Sequence, residues 1–293
     1  HIDDGQPRYP PHYLPRSQVL GIHDDLASLP NQSLPNRELV ESRTRPLRPL
    51  PDIVATHLQF AIDVLKETPR MMVLQNQTPW CHPSLYKRNM PRAMQDAYAC
   101  CSLYMSKTEI NAPVIMSLFD DRTRDLLSSS EPTTTREILA RTHALILYQI
   151  MRLFDSDIRS QARAEALFTT LEASVVALMR NIYVPGLTGP AELLPLSMNS
   201  IIEFWESWVL QESARRTVLL TYYFIQIYKL LQGKVPVQCD GKLGIYQDHA
   251  WYMSAHLWNA QSAFDFAVAW AEREHFVVHN LDFFFGAAQC AAG

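Results

Sequence analysis

The stretch TTTREILARTHALILYQIMRLF, residues 133–154, decides the fold class. Thr134 stands three residues before Glu137, the spacing of a capping box in which hydroxyl and carboxylate satisfy the first N–H groups of a helix. Beyond it the apolar residues fall on every side instead of on one stripe. A helix hydrophobic all round has to be covered on all sides, so it belongs in the middle of a bundle. The composition agrees. The chain has 293 residues, enough for a substantial core, with 47% hydrophobic residues, 19% charged residues and 9 glycines. Few glycines and many Leu, Ala, Met and Gln favour helices over an α/β enzyme with glycine-rich phosphate loops.

The rest of the chain supplies the bundle. Ile53, Val54, His57, Leu58, Ala61, Ile62 and Leu65 fall at helical spacing. A second helix is predicted from Pro91, suited to a first turn, to Lys107, and a third from the N-cap Asn111 to about Leu127. DIRSQARAEALFTTLEASVVALMRNIYV reads as one long helix stopped by Pro185 and Gly186, followed by a loop to Pro195. Another helix is predicted from Ser197 to Gly233 and a last helical region over Ser254–Glu274. HFVVHNLDFFF alternates as a short strand or extended tail. The expectation is a single all-α bundle of seven or eight helices over residues 52–293. Residues 1–51, with nine of the 19 prolines, form an extended arm before it. Tyr9, Tyr13, Leu14 and Val19 are its expected anchors on the domain. No internal repeat is evident.

Charge and cysteines limit the function classes. The net charge of −4 offers no electrostatic footprint for nucleic acid. Cys81, Cys100, Cys101, Cys239 and Cys290 are odd in number, two are adjacent and none forms a CxxC pair. Neither a disulfide framework nor a cysteine zinc site is expected, and a reducing compartment is. The apolar runs are too short and interrupted to span a bilayer, and no signal peptide opens the chain. Because it opens on His1 and not on Met, the chain is expected to be part of something longer.

Chemistry-bearing patterns are few. His275 and His279, four apart, would share a helix face, but the intervening Phe-Val-Val favours an extended backbone and no third ligand is evident. No metal and no cofactor are expected. Cys81–His82 would suit an activated thiolate. Adjacent side chains point apart, however, and TPWCHPSLY reads first as a proline-bounded turn in which Trp80 and Tyr86 pack. Cys100 and Cys101 read as small buried apolar residues. Asp120 and Asp121 are paired acids, and Asp155 and Asp157 sit at a helix end and start, where they would cap. No GxGxxG, GxSxG or P-loop pattern is present, and nothing specifies an enzyme.

FWESWVLQESARRTVLLTYYFIQ, residues 204–226, is different. It sets Glu206, Glu212, Arg215 and Arg216 among aromatic and aliphatic residues. On one helix Glu212 reaches Arg215 or Arg216, and the guanidiniums can stack on an indole. This cluster is read as a structural staple, with a ligand clamp as the alternative and Arg215, one position round the helix, as the comparison residue. Tyr148, Trp205, Trp208, Tyr222 and Tyr223 bring polar tips into apolar surroundings on this helix and on the one spanning Glu137–Phe154. They are the candidate ligand-binding residues for a metabolite-sized, largely apolar effector held between the two helices. Plain core packing is the alternative.

ESARRTVLLTYYF also resembles the Glu-x-x-Arg-Arg-Thr element of the fungal-specific transcription factor domain, the regulatory middle homology region of zinc-cluster transcription factors. TPWCHPSLYKRNMPRAMQDAYACCSLY resembles the segment that opens that domain, and SAHLWNAQSAFDFAVAWAERE its Leu-Trp-x-Ala-x-Ser segment near the end. The three stand in the family's order over roughly residues 78–285. The six closely spaced cysteines of the family's DNA-binding module are not in these residues. The resemblance implies an effector-responsive regulatory domain controlling secondary-metabolite genes in a fungal nucleus. Its partner would be a small molecule or a protein, a homodimer is left open, and DNA would be reached only through a module outside this chain. The alternative is a stand-alone metabolite-binding protein or enzyme, cytoplasmic and recruited from the same fold. The family's regulatory domains carry no agreed catalytic residues, and none is assigned.

Overall fold

Helices make up most of the described structure. It is a computed structural model that describes residues 52–155, 158–182, 194–195, 197–232, 251–252, 254–275 and 277–278. The predicted arm and its anchors, and most of the loop before Pro195, lie outside the described residues. The elements are α1 (Asp52–Gln75), α2 (Arg92–Met105), α3 (Ala112–Ser128), α4 (Thr135–Leu153), α5 (Ile158–Ala166), α6 (Phe168–Met179) and α7 (Met198–Leu231). Then follow β1 (Trp251–Tyr252), α8 (Ala255–Trp258), α9 (Ala263–Glu272) and β2 (Val277–Val278). The fold class is all-α, with one two-residue β pair among the described residues. None of the described helices is long and apolar enough to cross a membrane.

The capping box opens α4. Thr134 Oγ1 accepts from Glu137 N–H at 3.2 Å, and Glu137 Oε2 accepts from Thr134 N–H at 3.1 Å. Every residue from Ile138 to Leu153 is buried. α4 packs against α1, α2, α3, α5, α6 and α7, so it is the axis of the core. α7, the longest helix, lies against α4, α6 and α9 and carries β1. The C-terminal elements therefore attach to the bundle chiefly through α7.

Two boundaries differ from the sequence reading and raise the count to nine helices among the described residues. The predicted long helix after residue 157 breaks at Leu167, whose N–H closes a tight three-residue turn onto Ala164 C=O at 3.0 Å. Leu167 itself is buried. The turn points an apolar side chain inward without any glycine or proline to mark it. The last helical region also splits, because Ser262 is extended and its hydroxyl accepts the Asp265 N–H at 3.1 Å, opening α9 afresh. Val277 and Val278 pair antiparallel with Tyr252 and Trp251.

α1 runs on through Pro69. Proline has no N–H for the carbonyl of Leu65, four residues back. The buried Thr68 hydroxyl takes that place and donates to Leu65 C=O at 2.7 Å. The helix ends at Asn76 with φ 53°, a left-handed cap that asparagine tolerates, and its side-chain amide donates to Pro83 C=O at 2.9 Å. That bond fixes the turn carrying Trp80, Cys81 and His82 over the bundle.

Candidate functional site: the charged joint on α7 and the clefts around it

Glu212 is a fully buried carboxylate, and both neighbouring guanidiniums use it at once. Arg215 Nε donates to Oε2 at 3.0 Å and Arg216 Nε to Oε1 at 2.9 Å. The backbone N–H of Tyr252 donates to the same carboxylate at 3.2 Å, and Arg216 Nη2 donates back to Tyr252 C=O at 3.2 Å. Arg216 also lies 3.8 Å from the Trp258 ring centroid, and Arg215 5.5 Å from that of Tyr252. The cluster thus ties α7 to β1 and α8, with Glu212 as its hub. Arg215 is no neutral comparison residue, because its side chain is more buried than that of Arg216, 3% against 22% exposed. Glu206 stands apart on the surface, paired with Arg88 at 2.7 Å.

Beside the joint lies a buried polar chain that the sequence reading did not find. Thr217 Oγ1 donates to Ser213 C=O at 2.6 Å, which leaves the hydroxyl oxygen to accept from His143 Nε2 at 2.7 Å. His143 Nδ1 then accepts from the Tyr86 hydroxyl at 2.9 Å. The donors run one way, so His143 is the neutral Nε2–H tautomer. Burial lowers its pKa from the ordinary 6.5 to about 3. A lone histidine inside an apolar helix was the available signal. This chain spans the turn before α2, α4 and α7, and closes the seam between α4 and α7 at that level.

His82 occupies an aromatic box, edge-on to Trp258 at 5.1 Å and Trp205 at 6.2 Å. Its Nδ1 accepts from Ser84 N–H at 3.1 Å, and its Nε2 faces the carbonyls of Trp258 and Ala260 without a well-aligned hydrogen bond. Burial first, and then the nearby Arg216 charge, lower its pKa to about 4. Burial also pushes the Cys81 thiol up, and its sulfur lies against the His82 carbonyl, not the imidazole. Thr78 and Cys81 bridge in a tight turn, and Trp80 and Tyr86 are buried. That geometry holds a thiol, not a thiolate.

The other singled-out residues are placed as follows. Trp208 packs between Tyr252 at 5.7 Å and Phe266 at 5.0 Å. Tyr222 is buried edge-on to Tyr223. Tyr148, Trp205 and Tyr223 face three separate clefts. That of Tyr148, about 510 Å³, lies among α2, α3 and α4. Trp205 lines one of about 730 Å³ between the start of α7 and the start of α9. Tyr223 lines one of about 410 Å³ with Trp80, Arg216 and Trp258. None of these described clefts brings the five aromatics together between α4 and α7. Asp155 is not a cap but the ion-pair partner of Lys107, at an α4 C-terminus whose dipole repels a carboxylate. Asp120 pairs with Arg152 at 2.9 Å and with Arg163, and Asp121 with Arg124 at 2.7 Å. Asp157 and His279 lie outside the described residues, and the His275 ring sits 4.4 Å from that of Trp270. Among the described residues no group of three His, Cys, Asp or Glu is arranged to hold a metal ion.

No family model matches the chain, and no solved structure does. It is similar to Transcription factor gsfR2 of Penicillium aethiopicum, 30% identical over 223 residues. The match takes in 74% of this chain and 51% of that protein, so the chain spans about half the length of the curated relative it matches.

Two outcomes are expected. Glu212→Ala removes the carboxylate shared by two guanidiniums and a backbone N–H, and should cost about 3–5 kcal/mol in urea unfolding. Arg216→Ala, at the edge of the joint, should cost less. A Glu212→Ala protein as stable as the parent would show that the joint does not hold the fold. Second, His82 and His143 are neutral in the folded state down to about pH 4 and 3, while the unfolded chain protonates both below about 6.5. The unfolded state then binds more protons, so stability falls as pH is lowered through this window, by about 1.4 kcal/mol per pH unit for each group. His143→Gln should flatten the decline measured between pH 6.5 and 4.5. An unchanged slope would contradict the assignment.

Proposed function

We propose that this chain is the effector-responsive regulatory region of a fungal transcription factor that controls secondary-metabolite genes and works in the nucleus. The observation that carries the reading is the 30% identity to Transcription factor gsfR2 over 223 residues. Three ordered motifs agree with it, and so does the architecture. The Glu212 joint couples the longest helix to the C-terminal elements, and clefts lie on either side of it at Trp205 and Tyr223. A ligand that prefers one arrangement of such a joint shifts the population towards it, which is what a regulatory domain has to do. Contact with DNA is assigned to a separate module, because a net charge of −4 gives no field to attract a phosphate backbone.

Residues 1–293 fused to a heterologous DNA-binding module and an activation segment should make a reporter respond to extracts of the producing fungus. The same residues alone should show no sequence-dependent gel shift at physiological salt. Sub-micromolar sequence-specific binding by residues 1–293, or a fusion indifferent to every extract fraction, would contradict the reading.

A further inference from the structure

Arg141 stands on α4 with its side chain only 10% exposed. Its Nη1 donates to Ser129 Oγ at 3.0 Å, and its Nη2 lies 3.8 Å from the carboxylate of Glu131, a side chain 88% exposed to solvent. The two other buried arginines among the described residues are served differently. Arg152 has Asp120 at 2.9 Å and Thr123 at 3.1 Å, and Arg215 has Glu212 at 3.0 Å. A guanidinium presents five N–H donors in a planar fork that matches a carboxylate. Beside one hydroxyl and a solvated acid at 3.8 Å, the fork keeps N–H donors turned to the cleft that a closer carboxylate can take up.

That anion has a place to bind. Arg141 lines the cleft of about 510 Å³ among α2, α3, α4 and the 129–133 connection, a volume in the range of small-molecule sites. Its walls are apolar at Pro91, Ala93, Leu126 and Pro132, with Tyr148 joining them. The remaining charges select the ligand. Arg92 is paired with Asp96 at 2.9 Å and Arg122 with Asp125 at 3.4 Å, so neither adds a free positive charge. Glu131 and Glu137 bring two more carboxylates to the lining. The lining thus holds one more acid than base, so an incoming carboxylate has to take the place of the solvated Glu131 at Arg141, and a dianion such as a phosphate monoester is opposed by the acidic rim.

We propose that this cleft binds a small monocarboxylic acid, with its carboxylate on the Arg141 fork and its apolar body against Pro91, Leu126 and Tyr148. The site names an effector class for the regulatory reading above and rests on it only for biological meaning. Binding to the chain and response of the reporter fusion can fail separately. Because α4 touches six other helices, an anion that completes Arg141 stabilises the packing from its centre.

The test uses residues 1–293 with benzoate, hexanoate, methyl benzoate and inorganic phosphate as probes, read by thermal shift and calorimetry. At least one of the two acids should raise Tm, while the neutral ester and phosphate should not. Arg141→Met should weaken the acid roughly 10- to 100-fold, as loss of a charged hydrogen-bonded pair does. It should melt close to the parent without ligand, since it loses only one hydroxyl contact and a carboxylate 3.8 Å away on an exposed side chain. Ala93→Phe, which fills the cleft and leaves Arg141 in place, should also abolish the shift. No response to either acid, a response that survives both variants, or a preference for phosphate would overturn the proposal. So would an unliganded Arg141→Met protein that melts well below the parent, which would make Arg141 a structural group.

Discussion

Burial of α4 on every side is the constraint from which the rest of the structure follows. From Ile138 to Leu153 no side chain reaches solvent freely, so every polar group on that helix must find its partner inside the protein or in a ligand. Thr142 shares a hydrogen bond with Ser174 on α6, and His143 joins Tyr86 to Thr217 on α7. Arg152 takes Asp120 from α3, which in turn holds Arg163 on α5. The same residues that cost most to bury thus set which helix lies on which side. Gln149 has no protein partner for either end of its amide, and nothing in the structure accounts for it.

Glu212 plays the matching role on α7, at the other end of the polar chain. Ser213, its neighbour in sequence, receives the Thr217 hydroxyl at its carbonyl and lies 3.4 Å through its own hydroxyl from the His82 N–H. The α4 seam, the aromatic box around His82 and the Glu212 joint therefore meet between Glu212 and Thr217, under two turns of α7. Arg216 touches β1 at the Tyr252 carbonyl and α8 at the Trp258 ring, and Trp258 in turn lies edge-on to His82. That contiguity is the physical content of the coupling proposed for this domain.

What could be read from the sequence followed what is local. The capping box at Thr134 and the all-round apolar character of α4 are visible because they depend on neighbours along the chain. So is the reach of Glu212 to two arginines, since residues three and four apart on a helix share a face. The turn at Leu167 was hidden because no glycine or proline marks it, while Ser262 and Asp265 did carry a capping signal inside what read as one helical region. The backbone N–H of Tyr252 on Glu212 and the pairing of Asp155 with Lys107 depend on chain segments far apart. So does the dispersal of five aromatics over separate clefts and packed positions. The character of Arg141 was least legible of all, because it rests on which carboxylates fail to come near it in space.

Packed on every side, α4 should be the last element to lose its structure. Native-state amide hydrogen exchange, followed residue by residue in low denaturant, tests it most directly, because it separates local opening from global unfolding. The account predicts that the amides of Leu139–Met151 exchange only through global unfolding and share the highest protection in the chain. Exchange of these amides through a local opening, while α2 and α7 stay protected, would contradict it.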